Sequence, residues 1–326
     1  MKIMKYYKQH LYILLILSCT YLFASCDSLV YDDLEKCDRG IYINVYEQTE
    51  CASSPSYPSE IKKLNIYAFD ANDVLAAVIQ TTDVSLSADR QFYIPLEKSG
   101  SYYAVVWGNV DDKLFETIPN KIGSSTKKDL LLYLRKNKGL SALNLKGQHI
   151  YVGSTPTVQV GEIQNLFAYT KANVREITNR IRVMVEGLID PEEYTIEVSS
   201  ANTHYTFDGQ IFKAEAMFYP TKVNTTKEKN LIADFNVLKL ESGRASILTV
   251  KKIKTGEILF QNDLVGAILL SEFKDTPSLN LRCINDFDVL LKFKHCDCPD
   301  NTYVGLTLIV NNWSIHSYDI FFDRSI

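Results

Sequence analysis

Residues 63–80, "KLNIYAFDANDVLAAVIQ", contain two apolar stretches that are separated by a short run of polar residues. Leu64, Ile66 and Ala68 recur with a period of two, which places side chains on one face of a β-strand. Residues 70–73, "DAND", are typical of a tight turn because Asp and Asn side chains hydrogen-bond to nearby backbone amides. The stretch therefore predicts a β-hairpin with a buried face.

The same alternation recurs along the chain between turn-rich segments. It predicts further strands within residues 41–48, 91–96, 100–109, 150–160, 174–188, 194–209, 245–260, 287–295 and 303–322. Short strands at such intervals are typical of antiparallel β-sandwiches. Residues 127–137 are the best candidate for a short helix, and polar residues 219–230 are predicted to form an exposed loop. We therefore expect an all-β fold with few short helices.

The N-terminus has the three parts of a bacterial export signal. Three lysines precede the apolar residues 11–23, and small residues follow. The unbroken apolar run is shorter than the roughly 20 residues of a membrane span. A cysteine just past small residues resembles a lipobox, in which the thiol is acylated before cleavage. Of Cys19 and Cys26 we choose Cys26, because cleavage at Cys19 would leave an apolar stub; an ordinary secreted protein is the alternative.

Length and charge restrict the fold and the partners. Residues 1–25 are the predicted signal peptide, and residues 26–36 are a flexible tether. The remaining chain suits two domains of roughly 150 residues, and we place them at 37–168 and 169–326. The net charge is −4, and it becomes −7 without the signal, which loses three lysines and no acidic residue. No basic patch is present to neutralise phosphates, so nucleic acid is not an expected partner.

The cysteines after Cys26 are odd in number, so they cannot all pair with each other. They are Cys37, Cys51, Cys283, Cys296 and Cys298. In an oxidising compartment we expect Cys37 to pair with Cys51, and Cys283 to pair with Cys296 or Cys298. His295, Cys296 and Cys298 form the sequence "HCDC", which is also a potential set of metal ligands. Zinc sites usually space their cysteines more widely and need a fourth ligand, so we predict no metal and no cofactor.

Catalytic motifs are missing from the sequence: it contains no GxSxG, no HExxH and no phosphate-binding glycine loop. His149, His204 and His316 have no acidic or cysteine neighbour in the sequence, so each is expected to be hydrogen-bonded or exposed. Asp111 and Asp112 are adjacent, and adjacent strand residues point to opposite faces. The sequence therefore offers no positive sign of an enzyme.

The C-terminal segment has the pattern of a strand that could complete another protein's sheet. An exposed sheet edge offers unpaired N–H and C=O groups, and an added strand needs only alternating apolar side chains. The candidate residues for such strand exchange are Val304, Leu306, Leu308, Val310, Trp313 and Ile315. An ordinary closing strand of the second sandwich has the same pattern, and both interpretations remain open.

Five segments together resemble the FimB-like family of fimbrial anchor or minor fimbrial lipoproteins of Bacteroidota. The N-terminal segment "CDSLVYDDLEKCDRGIYINVY" (26–46) is the most specific. The others are "LNIYAFDANDVL" (64–75), "YYAVVWGN" (102–109), "ITNRIRVMVEGL" (177–188) and "VNNWSIHSYDI" (310–320). The resemblance extends over essentially the whole chain after the signal.

The resemblance implies two tandem transthyretin-like β-sandwich domains and a lipid anchor at Cys26 in the cell outer membrane, with the protein exposed at the surface. It implies a role at the base of a fimbrium, where anchoring limits fibre length, and partners that are fimbrial subunits bound by strand complementation. Related shaft subunits are cut after an arginine of the first domain. Arg39 and Arg90 are the corresponding candidates here, and neither lies in a context that matches the cleavage loop.

Two other functions are compatible with the same features. A minor or tip fimbrial adhesin would bind a host surface protein or glycan. A surface glycan-binding lipoprotein or hydrolase would need an aromatic platform or a convergent pair of carboxylates.

Overall fold

The computed structural model describes residues 38–117, 120–212, 215–271, 281–296 and 303–319. The predicted signal peptide and tether, with Cys26, lie outside the described residues, as do Cys37 and Cys298.

The first half of the described chain consists of ten strands and one 3₁₀ turn. The strands are β1 (Gly40–Glu47), β2 (Lys63–Asp70), β3 (Leu75–Thr82), β4 (Phe92–Pro95), β5 (Gly100–Gly108), β6 (Phe115–Thr117), β7 (Leu132–Leu134), β8 (Tyr151–Ser154), β9 (Val158–Val160) and β10 (Phe167–Glu176). The 3₁₀ turn is Lys127–Asp129.

The second half adds eleven strands, a 3₁₀ turn at Pro191–Glu193 and the helix α1 (Leu264–Ser271). The strands are β11 (Thr178–Glu186), β12 (Tyr194–Ser200), β13 (His204–Tyr205), β14 (Met217–Tyr219), β15 (Val223–Thr225), β16 (Leu231–Leu238), β17 (Ser246–Lys252), β18 (Ile258–Asp263), β19 (Asp286–His295), β20 (Tyr303–Val310) and β21 (Trp313–Asp319). The prediction of a mostly β fold is confirmed.

The predicted hairpin at residues 63–80 is formed by β2 and β3. Asp70 closes the turn because its Oδ1 accepts hydrogen bonds from the backbone N–H groups of Asn72 and Val74, each at 2.9 Å. Asp73 adopts a φ of 62°, a conformation that Asp and Asn tolerate better than most residues. The local sequence was therefore sufficient to identify this hairpin.

The described strands form four sheets, of which the smallest is the three-stranded sheet β13-β7-β6. An eight-stranded sheet has the order β3-β2-β5-β8-β10-β1-β4, with β9 paired to β5. The second half forms a six-stranded sheet, β15-β16-β11-β19-β20-β21, and a four-stranded sheet, β14-β12-β17-β18. The pairing is antiparallel except that β1 lies parallel to β10, and β11 lies parallel to β19. In each half, the first strand thus pairs in parallel with a strand that comes late in the sequence of that half.

Two central strands of the large sheet are buried on both faces. In β2, Leu64, Ile66 and Ala68 pack into a core that belongs to the first half alone. Tyr67 and Phe69, which point the opposite way, enter a second core shared with the other half of the chain. Strand β5 follows the same rule, which explains its unbroken apolar centre: Ala104 and Val106 face the first core, while Val105 and Trp107 face the shared one.

The two halves are therefore packed together rather than joined by a free linker. Strand β13 of the second half pairs with β7 of the first, with His204 opposite Tyr133. The indole N–H of Trp107 donates to the carbonyl oxygen of Phe207 at 3.3 Å. The predicted boundary between residues 168 and 169 falls inside β10, which pairs with β1 and β8 of the first sheet. The chain changes sheets at Ile177, the single residue between β10 and β11.

The helix predicted at residues 127–137 is wrong. Asp129 accepts hydrogen bonds from the backbone N–H and the hydroxyl of Thr126, which stabilises only the 3₁₀ turn at Lys127–Asp129. Leu130, Leu132 and Leu134 are all buried, a two-residue period that suits the following strand β7. The apolar run follows the strand period because one face lies on the shared core.

Two other elements differ from expectation. The segment 219–230, predicted to be an exposed loop, contains β15, which pairs with β16. Helix α1 was not predicted, although its start carries a recognisable signal: Asp263 precedes the apolar run, and its Oδ1 accepts from the backbone N–H of Val265 at 3.1 Å.

A disulfide joins the halves covalently. Cys51, in the segment after β1, is bonded to Cys283, which precedes β19, across 232 residues of sequence. Arg282 and Glu50 form an exposed ion pair at 3.5 Å beside it. The expected pairing of Cys37 with Cys51, and of Cys283 with Cys296 or Cys298, is therefore wrong. Cys296 is also disulfide-bonded. The prediction paired cysteines that are close in sequence, and it failed because the packed halves bring distant segments together.

We expect the Cys51→Ser, Cys283→Ser double variant to lose about 2–5 kcal/mol of unfolding free energy, since this bond closes a long loop. Urea denaturation followed by far-UV circular dichroism measures the change, and Ser54→Ala, at an exposed site in the same segment, is the matched control. Peptide mapping of the unreduced wild-type chain should recover Cys51 linked to Cys283. A Cys37–Cys51 peptide, or an unchanged urea midpoint, would contradict this assignment.

Candidate functional site

The C-terminal hairpin occupies one edge of the six-stranded sheet. Strand β20 pairs with β19 on one side and with β21 on the other, so β21 is the last strand of this sheet among the described residues. Asn311 and Asn312 connect the two strands with φ values of 48° and 70°, the backbone of a tight hairpin turn whose twist matches its strands. Helix α1 lies beside β20 and β21.

Four of the six predicted strand-exchange residues lie in or against the chain's own core. Leu308 and Val310 are buried there, and the half-buried Leu306 and Ile315 pack against them. Val304 is half-buried, and the side chain of Trp313 lies outside the described residues. In this structure the segment closes its own sheet. The outer backbone edge of β21 is the part that a further strand can pair with.

A cluster of polar side chains lies where the chain passes from the first sheet to the second. Glu176, at the end of β10, is almost fully buried, and its carboxylate accepts hydrogen bonds from Thr178, Arg180 and Asn285. His149 Nδ1 lies 2.9 Å from Glu176 Oε1. The expectation of a hydrogen-bonded His149 is confirmed, but its acidic partner is 27 residues away and was invisible in the local sequence.

Arg180 extends this cluster toward β19. Its Nε and Nη2 donate to the two carboxylate oxygens of Asp286 at 2.6 and 3.0 Å, a bidentate pair, while Nη1 donates to Glu176 at 2.7 Å. The hydrogen bonds from Arg180 lower the pKa of the Asp286 carboxyl. Hydrogen bonding to Asp286 in turn raises the pKa of the Arg180 guanidinium. The pair thus fixes the start of β11 against the start of β19.

Lys239 adds a half-buried ammonium group to this cluster. Its Nζ donates to Asn285 Oδ1 at 2.6 Å, and burial lowers the pKa of its ammonium group to about 8. Asn285 in turn donates a hydrogen bond from its Nδ2 to the Glu176 carboxylate at 2.9 Å. These side chains come from four separate segments, and their contacts position strands.

The potential metal ligands do not come together in the described part of the chain. There, no three His, Cys, Asp or Glu side chains lie close enough together to hold a metal ion. Cys296 of the "HCDC" sequence is disulfide-bonded, and Cys298 is not described. The described residues also include no helix that is long and apolar enough to cross a membrane.

The arginines considered for proteolytic cleavage lie in hydrogen-bonded backbone. Arg39 is buried, and its carbonyl oxygen accepts from the Leu96 N–H at 2.9 Å and from the Tyr93 hydroxyl at 3.0 Å. Arg90 ends a segment that the Asn44 side chain binds: Asn44 Nδ2 donates to the carbonyl oxygens of Ser87, Ala88 and Arg90 at 2.8–3.1 Å. In both cases the carbonyl oxygen of the arginine is therefore hydrogen-bonded within the fold.

Comparison with known proteins identifies the family. The profile described as "Mfa2: Fimbrillin-A associated anchor proteins Mfa1 and Mfa2" matches residues 34–319. This chain belongs to that family. Membership in the Mfa2 family agrees with the fimbrial-anchor resemblance carried by the five sequence segments.

A curated relative and solved structures support the assignment. The "Minor fimbrium anchoring subunit Mfa2" of Porphyromonas gingivalis is 43% identical over 300 residues, which is 91% of each chain. The structure of the fimbrial anchor protein Mfa2 from the same organism aligns with a TM-score of 0.78, covering 86% of this chain and all of that one. A putative adhesin from Bacteroides ovatus, 17% identical, aligns with a TM-score of 0.68 over 90% of this chain and 98% of its own; this shows the shared fold alone.

The pKa of Lys239 leads to a pH-dependent prediction. The ordinary lysine value is 10.5, so between about pH 8 and pH 10.5 the unfolded chain binds more protons than the folded one, and the free energy of unfolding rises with pH. We expect the wild-type free energy of unfolding, relative to that of Lys239→Met, to increase by about 2 kcal/mol from pH 7 to pH 9.5.

Urea titrations at each pH measure this difference. Lys222→Met, which removes an exposed lysine, is the control and should show no such slope. A difference between wild type and Lys239→Met that stays constant or falls with pH would contradict the lowered pKa of Lys239.

Proposed function

We propose that this protein is the lipid-anchored base of a fimbrium, acylated at Cys26, held at the outer membrane and bound to fimbrial subunits by strand complementation. The observation that carries the proposal is the 43% identity to a minor fimbrium anchoring subunit over 91% of both chains. By capping the fibre at the cell surface, such a protein limits fibre length. The same relative favours this role over that of a tip adhesin binding host protein or glycan.

The N-terminal sequence supports lipid anchoring. Cys26 follows a basic and apolar export signal and precedes polar residues. Each buried CH₂ of an acyl chain contributes about 0.8 kcal/mol, and one myristoyl chain binds a membrane only reversibly. The two or three acyl chains of a bacterial lipoprotein would resist the detachment of a long fibre.

The hydrogen-bonded backbone at Arg39 and Arg90 supports an anchor over a shaft subunit. Proteolytic removal of a first-domain strand requires the backbone at the cleaved arginine to enter a protease's active site. Here the Arg39 and Arg90 carbonyl oxygens are occupied by Tyr93, Leu96 and Asn44. The first sheet is thus expected to stay intact in the assembled fibre.

The edge of β21 is our candidate for the contact with the adjoining subunit. It is the outermost of the described strands in its sheet, and main-chain hydrogen bonds along an edge provide affinity without any side-chain chemistry. The other edge of that sheet, β15, has only three residues and offers a shorter template. Strand addition at β21 therefore requires no rearrangement of the core residues Leu308 and Val310.

Acylation provides the first test. Wild-type cells should incorporate labelled palmitate into this protein, and Cys26→Ala should abolish the label and release fimbriae into the medium. Cys19→Ala, which changes the other cysteine of the signal region, is the control and should keep both the label and the cell-bound fibres. Label that persists in Cys26→Ala, or cell-retained fibres of normal length, would refute the proposed anchor.

Photo-crosslinking tests the contact edge. A benzophenone amino acid in place of Ser314, an exposed residue of β21, should crosslink to a fimbrial subunit in intact cells. The matched control is Thr225, an exposed residue of β15 on the opposite edge of the same sheet. Equal crosslinking at both positions, or crosslinking at Thr225 alone, would contradict the choice of β21.

A further inference from the structure

Three tyrosines form a ladder across the outward face of the first sheet. Tyr42 of β1 lies opposite Tyr93 of β4 and opposite Tyr169 of β10 in the strand registers. The ring centroids are 5.0 Å apart for Tyr42 and Tyr93, and 5.2 Å apart for Tyr42 and Tyr169, whose planes are only 11° from parallel. Phe167 joins them, with its ring 5.8 Å from that of Tyr42.

This cluster depends on a glycine. A Cβ atom at position 40 would clash with the backbone carbonyl oxygen of Ile94 and would lie 2.6 Å from the Tyr93 ring, so glycine is required for β4 and its tyrosine to pack this closely on β1. The Tyr93 hydroxyl then donates to the carbonyl oxygen of Arg39 at 3.0 Å. The aromatic surface is therefore built into the backbone of β1, at the point where the described chain begins.

The same end of the sheet carries an unusual share of exposed apolar side chains. Ile163 is 67% exposed, Phe167 37% and Tyr169 65%, all within seven residues of sequence. An exposed apolar surface of this kind marks an interaction site more often than chance. We call Tyr42, Tyr93, Ile163, Phe167 and Tyr169 the aromatic face.

The N-terminal segment enters the fold beside this face. The Gly40 N–H donates to the carbonyl oxygen of Leu166 at 3.0 Å, one residue from Phe167. Cys26 lies 12 residues before Asp38, the first described residue, and that length of chain spans at most about 40 Å. A short tether fixed to a bilayer keeps the lipid surface at a high effective concentration near the point where the tether joins the protein.

We propose that the aromatic face rests on the lipid surface and orients the anchor against the membrane. The inference rests on the proposed acylation of Cys26, since the tether is what brings the lipid to this face. Tyrosine suits the site because its ring is apolar and its hydroxyl is polar, the combination favoured at membrane interfaces. Exposed neighbours of both signs, Glu162 and Lys171, flank the face, so the contact depends on apolar burial rather than on anionic lipid.

Fluorescence quenching by brominated lipid tests this contact. The acylated full-length chain is reconstituted into phosphatidylcholine vesicles that contain brominated phosphatidylcholine. Tyr169→Trp places a reporter on the aromatic face, and Phe218→Trp places one at a comparably exposed site, 46% exposed, on β14. The wild-type signal from its two tryptophans is subtracted.

We expect the bromolipid to quench the emission at position 169 at least about twofold more than that at position 218, equally at low and high salt. Adding Ile163→Ser and Phe167→Ser to the Tyr169→Trp chain should remove most of the difference. Adding Ile253→Ser and Ile258→Ser instead, at exposed sites in the second half, should leave the difference in quenching unchanged. Circular dichroism of each variant confirms that it is folded.

The outcomes separate this inference from the proposed function. If mass spectrometry shows the acyl group but quenching is equal at the two positions, the lipid contact is overturned and the anchor stands. If no acyl group is found, the anchor fails; quenching at 169 alone would then support the lipid contact, and its absence would overturn it too. A fluorescence change at 169 caused by soluble polysaccharide, and not by vesicles, would make this face a sugar-binding surface and overturn the inference.

Discussion

The packing of both faces of β2 and β5 is the constraint on which the rest of the structure depends. One face of each strand closes the core of the first half, and the other face supplies Tyr67, Phe69, Val105 and Trp107 to the core shared with the second half. Burying an apolar side chain of this size is worth about 1.5–3 kcal/mol. Neither half can expose this surface without losing several such contributions, so the halves behave as one packed body.

The other links between the halves reinforce the same surface. The Cys51–Cys283 bond, the β7–β13 pairing and the cluster around Glu176 each connect segments that are far apart in sequence. A protein that holds a fibre to a cell is loaded in tension, and tension acts first on the joint between its parts. Covalent, backbone and ionic links between the two halves suit the proposed anchor.

The two ends of the described chain have different chemical characters that fit different neighbours. At the N-terminal end, exposed aromatic rings surround the point where the chain enters β1. At the C-terminal end, Leu308 and Val310 turn inward and leave the backbone edge of β21 as the outermost strand. An aromatic surface suits a lipid interface, whereas a backbone edge suits another strand. The proposed functions of lipid attachment and fibre attachment thus use separate surfaces.

The sequence by itself determined those features that depend only on residues close together in the chain. Alternating side chains and the "DAND" turn were enough for the β2–β3 hairpin, and the export signal with its cysteine was enough to propose a lipoprotein. The apolar run at 130–134 shows the limit, because a short run has the same composition in a helix and in a buried strand. This run forms strand β7 because its leucines pack on the shared core.

Tertiary structure alone decided the pairing of Cys51 with Cys283, the partners of Glu176, the parallel pairs β1–β10 and β11–β19, and the passage between sheets at Ile177. The disulfide, the two parallel pairs and the contacts of Glu176 with His149 and Asn285 each join residues that are 27 to 232 positions apart. Local sequence carries no record of such contacts, because they form only when two surfaces that are each apolar on their own are buried against one another.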